Sequence, residues 1–215
     1  MKDIVSEINA VHRATGRKTV ATGEARTVVL RRSYAGEIED VWDAITTPER
    51  IQRWFLPVSG DLRLGGKYQL EGNAGGEILE CEPPRLLRVS WAFGESQDFS
   101  EVLVKLAPVA EGKTELELEH TAIVDPDMWS EYGPGAVGVG WDLALLGLGL
   151  YLTTGETVKD PETWPMSPEG RRFVTDCSQA WGVAYEASGA PGTEVSIAVA
   201  NTTQFYAPDV PPGQN

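Results

Sequence analysis

The most hydrophobic stretch of the chain, residues 136–152, predicts one long helix. It is rich in glycine and contains a single charged residue, Asp142. A helix that spans a membrane needs about 20 apolar residues, whereas this stretch is shorter and is interrupted by the carboxylate. We therefore expect a helix that is buried on most of its sides in a globular fold. We place Asp142 near the start of this helix, where the helix dipole favours acidic side chains.

Upstream of this helix, residues 26–123 alternate between hydrophobic and polar positions, as is typical of antiparallel strands. The segment TELELEH at 114–120 is the clearest example, since its glutamates fall on one face and its leucines and histidine on the other. Two short helices are predicted at 37–46 and 48–55, and the hydroxyl, proline and acid at 47–49 mark the start of the second. The seven predicted strands are residues 26–34, 61–64, 67–71, 77–82, 86–93, 99–108 and 114–123.

Further elements are predicted at the two ends of the chain. Residues 4–11 have the spacing of a short amphipathic helix, and we expect the basic segment 13–18 to lie in a solvated loop after it. The sequence Ser-Pro-Glu at 167–169 indicates the start of another helix. Residues 193–206 fit either a strand or a helix, and we prefer the helix because it completes a helical tail. Residues 208–215 are expected to be disordered.

This organisation predicts an α+β fold in which a curved seven-stranded antiparallel sheet surrounds a long helix. It divides the chain into an N-terminal helix and loop (1–25), the sheet-and-helix domain (26–154) and a helical C-terminal extension packed on the same domain (155–215). The extension offers either a surface for self-association as a homodimer or a lid over a cavity, and the sequence leaves that choice open.

The charge and the cysteines restrict the classes of partner and compartment. The formal net charge is −14, which repels phosphate backbones and anionic lipids, so we expect neither nucleic acid nor a membrane as a partner. Cys81 and Cys177 lack the spacing of a metal or redox motif, and we expect free thiols in a reducing cytoplasm. No phosphate-binding loop or nucleophile elbow is present, so the sequence predicts no cofactor and no metal site.

A curled sheet with a helix across its concave face leaves a space between them, and small-molecule sites form in such apolar concave spaces. Large aromatic side chains suit the wall of such a site because they offer contact area at little entropic cost. Plain core packing is the alternative for each of them. The candidate ligand-binding residues are Trp54, Tyr68, Trp91, Phe99, His120, Trp129, Trp141, Asp142 and Leu145.

Two of these candidates could carry chemistry. His120 shares a strand face with leucines, so it is either a hydrogen-bonded core residue or a polar anchor and proton donor in an apolar cavity. A buried carboxylate needs a partner or water, and a pair between His120 and Asp142 would be the nearest approach to acid–base machinery. We name no catalytic residue.

The order of elements and the amino-acid sequences of several segments resemble those of one family. The segments are IEDVWDAITTPERIQRWF from residue 38, DLRLGGKYQLEG from 61, GEILECEPPRLLRVSW from 76, TELELEH from 114 and the pair Gly140-Trp141. They resemble the activator-of-heat-shock-ATPase homologue family of the START-related helix-grip (SRPBCC) superfamily, over roughly residues 26–152. The resemblance implies the helix-grip fold but no single function, because the superfamily includes carriers, cyclases, receptors and co-chaperones.

Three functions follow from these observations. The leading hypothesis is the binding of a small hydrophobic or aromatic ligand in an internal cavity, without catalysis. The first alternative is an enzyme of the polyketide cyclase, aromatase or hydrolase type that uses the same cavity. The second, implied by the family resemblance alone, is an interaction protein that regulates a chaperone.

Overall fold

Eight antiparallel strands form one sheet in the order β1-β2-β8-β7-β6-β5-β4-β3. The structure is a computed structural model that describes residues 4–94, 98–158 and 160–209. The strands are β1 (Val11–Val20), β2 (Gly23–Ala35), β3 (Val58–Gly60), β4 (Lys67–Leu70), β5 (Gly75–Glu82), β6 (Leu86–Ser90), β7 (Ser100–Ala110) and β8 (Lys113–Ala122).

Seven helices accompany the sheet in the described part of the chain. Two of them, α2 and α3, follow β2, as predicted, and α5 lies across the sheet. A single 3₁₀ turn at Trp164–Met166 precedes α6. The helices are α1 (Ile4–Asn9), α2 (Ile38–Thr46), α3 (Pro48–Trp54), α4 (Pro126–Tyr132), α5 (Gly135–Thr154), α6 (Pro168–Ala187) and α7 (Gly192–Tyr206).

The two faces of the sheet differ as the alternation in β8 predicts. Leu116 and Leu118 are 2% and 4% exposed and face the core. Glu117, between them, lies on the convex face and forms ion pairs with Arg31 of β2 and Lys105 of β7. Successive side chains of a strand point to opposite faces, so this one strand has a hydrophobic side toward α5 and a charged side toward solvent.

The predicted loop around the basic segment 13–18 is wrong. These residues lie in β1, which pairs with β2 from Val11↔Arg32 to Val20↔Gly23, so the sheet has eight strands instead of seven. The inward positions of β1 include Arg13, Thr15 and Arg17, which have no hydrophobic pattern that could reveal a strand.

One other strand differs from the prediction, and one open alternative is decided. Residues 61–64 are irregular, and the strand that pairs with β4 is β3, whose three residues are too few to show an alternation. The helical alternative for 193–206 is confirmed by α7. The expected disorder of 208–215 falls almost entirely outside the described residues.

The long helix α5 is covered on both sides. By length and composition alone it could cross a membrane, but 56% of its hydrophobic window is buried inside the protein. The sheet lies on one side, and α6 and α7 lie on the other. A Cβ atom on Gly138 would lie 2.1 Å from the Trp181 ring of α6, and one on Gly135 would lie 2.6 Å from the Thr202 hydroxyl of α7. Glycine at these positions therefore permits the close approach of the tail helices.

Candidate functional site

A cavity of about 360 Å³ lies between the concave face of the sheet and α5. Strands β4 to β8 form its floor, α5 forms its back wall, and α2 and α3 cover it. Among its lining residues, the sheet contributes Tyr68, Leu70, Ile78, Val89, Trp91, Val102, Leu116 and Leu118. Helix α5 contributes Trp141, Ala144, Leu145 and Leu148, and the α2–α3 cover contributes Trp42, Ile45, Thr46, Ile51, Trp54 and Phe55.

The cavity opens near two exposed lining residues. Leu62, in the segment between β3 and β4, is 37% exposed, and Pro83, after β5, is also exposed. A lining residue that contacts both the cavity and bulk solvent marks the entrance. An apolar ligand could therefore enter beside Leu62 and Pro83 without crossing the sheet.

Several polar groups of the cavity wall form hydrogen bonds within the protein. The Tyr68 hydroxyl donates to the Ser90 carbonyl oxygen at 2.8 Å. The Trp54 indole N–H donates to the Ala44 carbonyl oxygen at 2.9 Å. Burial raises the pKa of Tyr68 and the pKa of the Cys81 thiol, so both stay protonated at neutral pH. Among the described residues that line the cavity, none is an aspartate, glutamate, histidine, lysine or arginine.

Two indole groups remain uncommitted. Trp42 and Trp91 both line the cavity, and no hydrogen-bond acceptor within the described ranges pairs with either indole N–H. An indole N–H is a donor only. Neither indole N–H is therefore committed to an acceptor within the described part of the protein.

Aromatic rings form a continuous path around the cavity. The Trp54 and Phe55 centroids lie 5.5 Å apart, and Phe55 lies 6.3 Å from Trp141. Trp141 is 5.0 Å from Trp91, and Trp91 is 6.4 Å from Tyr68. Ring pairs at these separations attract each other beyond simple burial of area. The path joins α3, α5, β4 and the residue that follows β6, and it presents flat apolar surfaces to the cavity.

Five of the nine candidate residues predicted from the sequence line this cavity, and four do not. Those that do are Trp54, Tyr68, Trp91, Trp141 and Leu145. His120 and Trp129 line a second, smaller cavity of about 100 Å³. Phe99 lines neither cavity. It lies three residues before the inward-facing Val102 of β7, and side chains an odd number of residues apart along a strand point to opposite faces. Asp142 also lines neither.

His120 is a hydrogen-bonded core residue. Its Nδ1 accepts the Trp141 indole N–H at 3.1 Å, which leaves the proton of a neutral ring on Nε2, 2.9 Å from the Ser100 hydroxyl. Burial lowers the pKa of His120 to about 4, so the ring is neutral at physiological pH. With both nitrogens engaged and no access to the large cavity, His120 cannot act there as an acid or a base.

The predicted placement of Asp142 near the start of the helix is wrong. It lies seven residues after Gly135, and only 1% of it is exposed. Arg13 donates to its carboxylate through Nε and Nη2, at 3.1 and 2.8 Å, and Trp181 donates at 2.9 Å. Successive helical residues point about 100° apart, so Asp142 faces α6 while Trp141 faces the cavity. The hypothetical pair with His120 therefore does not form.

Apart from Trp54, sequence reasoning missed the residues that cover the cavity. Trp42, Ile45, Ile51 and Phe55 line it from α2 and from the end of α3. The helical spacing of α2 already indicated a hydrophobic stripe, but that stripe alone could not distinguish a cavity wall from a packed core. Arg13, the partner of Asp142, was missed because β1 was taken for a loop.

Comparisons with known proteins agree with this architecture. Residues 35–153, more than half of the chain, match the family described as activator of Hsp90 ATPase homolog 1-like protein. The chain belongs to this family. No curated protein matches it. The chain has the helix-grip fold, with its long helix largely buried within the protein.

Several solved structures are similar to this chain. The crystal structure of CalU16 from Micromonospora echinospora shares 40% sequence identity and covers 82% of this chain and 99% of its own, with a TM-score of 0.66. Its solution structure gives a TM-score of 0.70. Protein MLL2253 from Mesorhizobium loti is 27% identical over 59% of this chain and 96% of its own, with a TM-score of 0.52.

Proposed function

We propose that this family member binds an uncharged hydrophobic or aromatic molecule in the large cavity. The observation that carries the proposal is the neutral lining of a 360 Å³ space. Cavities that hold drug-sized ligands measure about 300–1,000 Å³ and combine apolar walls with a few polar groups. A charged ligand would lose its hydration here without gaining a counter-ion, which costs several kcal/mol or more.

The aromatic path favours a flat ligand. The rings of Trp91 and Trp141 can stack on or contact the edge of a planar ring system. The uncommitted indole groups of Trp42 and Trp91 can donate to an acceptor on the ligand, such as a carbonyl or ether oxygen. We therefore favour a neutral, planar molecule with at least one oxygen acceptor.

Binding is better supported than catalysis. An acid or base must lie within hydrogen-bond reach of the reacting group, and the lining offers only Tyr68 and Cys81, both with raised pKa values. His120, the one candidate for the cyclase or hydrolase alternative, has both nitrogens engaged elsewhere. Chaperone regulation stays a prediction from the family resemblance. The cytoplasmic location stays a prediction from the cysteines, and a homodimer stays one from the C-terminal extension.

Two probes of nearly equal shape test the proposal. N-phenyl-1-naphthylamine is neutral, and 8-anilino-1-naphthalenesulfonate carries the same rings with an added sulfonate. We expect the neutral probe to bind saturably, with enhanced fluorescence and with a Kd at least tenfold lower than that of the sulfonate. Mass spectrometry of the protein purified under native conditions would then identify a natural ligand.

Matched variants locate the binding. Ala144→Phe places a ring inside the cavity, whereas Val183→Phe adds the same ring at an exposed position of α6 that is 69% accessible. The first variant is expected to abolish binding of the neutral probe, and the second to leave it unchanged. Equal affinity for both probes, or full binding by Ala144→Phe, would overturn the proposal.

A further inference from the structure

The smaller cavity is separated from the large one by a hydrogen-bonded pair. Trp141 lines the large cavity, His120 lines the small one, and the indole N–H of the first donates to the ring of the second. The small cavity lies beside α4 and measures about 100 Å³. Met128 and Val137, two of its lining residues, are 51% and 39% exposed, so it is open to solvent at that rim.

One charged side chain lines this small cavity. The Arg26 guanidinium lies over the Trp129 ring, 4.6 Å from its centroid, and no carboxylate in the described part of the chain forms an ion pair with it. In contrast, Arg13, Arg31 and Arg32 of the same two strands are all ion-paired. Within the described residues Arg26 therefore has no counter-ion of its own, although the formal net charge of the chain is −14.

A second arginine adds to the positive charge at this point. Arg17 of β1 is directly opposite Arg26 of β2, and it too forms no ion pair among the described residues. Like charges on directly opposed residues of an antiparallel pair are destabilising. Partial burial and the neighbouring Arg17 lower the pKa of Arg26, consistent with a cation that lacks a counter-ion. A bound anion would relieve this repulsion.

We propose that the small cavity binds a small organic anion, with its apolar part against Val28, Ala122 and Ala136 and its carboxylate on Arg26. Arginine is suited to this role because its planar fork binds both oxygens of a carboxylate. Cavities of about 150 Å³ hold benzene, so a body on the order of four to five carbons suits this smaller one. His120 adds no competing donor, since both of its ring nitrogens are engaged.

Three probes separate the contributions of the charge and of the apolar body. Isovalerate has both a branched apolar body and a carboxylate, 4-methyl-2-pentanone keeps the body without the charge, and acetate keeps the charge almost without the body. Titrations followed by protein NMR chemical shifts are expected to show saturable binding of isovalerate. The ketone and acetate should each bind at least tenfold more weakly.

Variants assign the site independently of the large cavity. Arg26→Gln is expected to weaken isovalerate binding tenfold or more, Arg26→Lys to weaken it less, and Arg31→Gln, on the convex face of the same strand, to leave it unchanged. Ala136→Leu fills the small cavity and should abolish binding, whereas Ala144→Phe fills only the large one and should not affect it. If Arg26→Gln fails to fold, Arg26→Lys and Ala136→Leu decide the question.

Three results would overturn the proposal. They are the absence of saturable isovalerate binding, unchanged affinity in both Arg26→Lys and Ala136→Leu, and loss of binding in Ala144→Phe with retention in Ala136→Leu. The last result would place the anion in the large cavity, and it would also contradict the neutral specificity that we propose there. Failure of the neutral naphthylamine probe alone would leave the small site unaffected.

Discussion

The two sides of α5 differ in how much space they leave, although the helix is hydrophobic on both. Toward the sheet, Ala144 and Leu145 line an open cavity. Toward the tail, the helix packs so closely that Gly138 has no room for a Cβ atom beside Trp181. The strands of the sheet are joined by their own hydrogen-bond ladders, whereas the tail helices approach α5 closely enough to contact its glycines. Hydrophobicity alone therefore does not tell a packed interface from a binding site.

Polar groups are used differently on the two sides. On the tail side, Arg13 ties β1 to Asp142 and also donates to the carbonyl oxygens of Ile8 and Val11, at 3.1 and 3.0 Å. Burial raises the pKa of Asp142, but hydrogen bonds from Arg13 and Trp181 oppose that effect. This network is satisfied within the protein and fixes the tail. On the cavity side, the indole N–H groups of Trp42 and Trp91 have no hydrogen-bond partner among the described residues.

The largest effect is expected at the buried ion pair. Asp142→Ala leaves the Arg13 guanidinium buried without a counter-ion, and loss of one partner of such a pair costs about 3–5 kcal/mol. The free energy of unfolding, measured with a chemical denaturant, should fall by this amount. Asp43→Ala removes an exposed partner of Arg50 and should cost less than about 1 kcal/mol. Equal costs for the two variants would mean that the tail is not fixed through Asp142.

The next largest effect on stability is expected from the protonation of His120, which lies between the two cavities. The pKa of His120 is about 4 in the folded protein, against an ordinary value of 6.5. The unfolded chain therefore binds more protons between these values, so stability falls as the pH drops from about 6.5 to about 4. At about 1.4 kcal/mol per pH unit, the loss amounts to about 3 kcal/mol.

The pH effect is measured by comparison with His120→Asn. The free energy of unfolding of both proteins is measured with a denaturant between pH 4 and pH 7. The carboxylates that the two proteins share contribute equally to both, so their contribution cancels in the difference. The wild-type protein should lose more stability on acidification than the variant does. Parallel pH profiles would show that His120 titrates normally and is not held neutral between Ser100 and Trp141.

Much of the fold could be predicted because local signals agreed with tertiary packing. The alternation in β8 and the Ser167 cap of α6, which accepts the Gly170 N–H at 3.0 Å, are both legible in the sequence. Strand β1 could not be predicted, because its inward Arg13 is neutralised by Asp142, 129 residues away. For the site, the sequence indicated aromatic residues on the correct elements. The sequence also placed the space between the sheet and the helix, but it could not reveal that Asp142 faces the tail helices, because its partner Arg13 lies in the strand that was taken for a loop.

A smaller effect on stability is expected when the tryptophans on the two sides of α5 are replaced. Trp181→Phe removes a hydrogen bond to a buried carboxylate, and we expect a loss of about 1–3 kcal/mol in the free energy of unfolding. Trp91→Phe removes an indole N–H that has no partner among the described residues, so it should cost less stability. Its effect should instead appear as weaker binding of a ligand that carries an oxygen acceptor. If Trp91→Phe proves the costlier change, the cavity side is as tightly packed as the tail side.

The smallest change in stability is expected when side-chain volume is added on the cavity side. Ala144→Leu extends into open space, whereas Gly138→Ala forces a methyl group against the Trp181 ring, 2.1 Å away. Overpacking a filled core typically costs about 1–3 kcal/mol. We therefore expect the glycine variant to lose about that much in denaturant unfolding and the leucine variant to change by less than about 1 kcal/mol. Ala144→Leu should nevertheless bind the neutral naphthylamine probe more weakly, because it occupies the ligand's volume. A large loss of stability in Ala144→Leu would mean that the cavity closes in solution, and the binding function proposed for it would then be wrong.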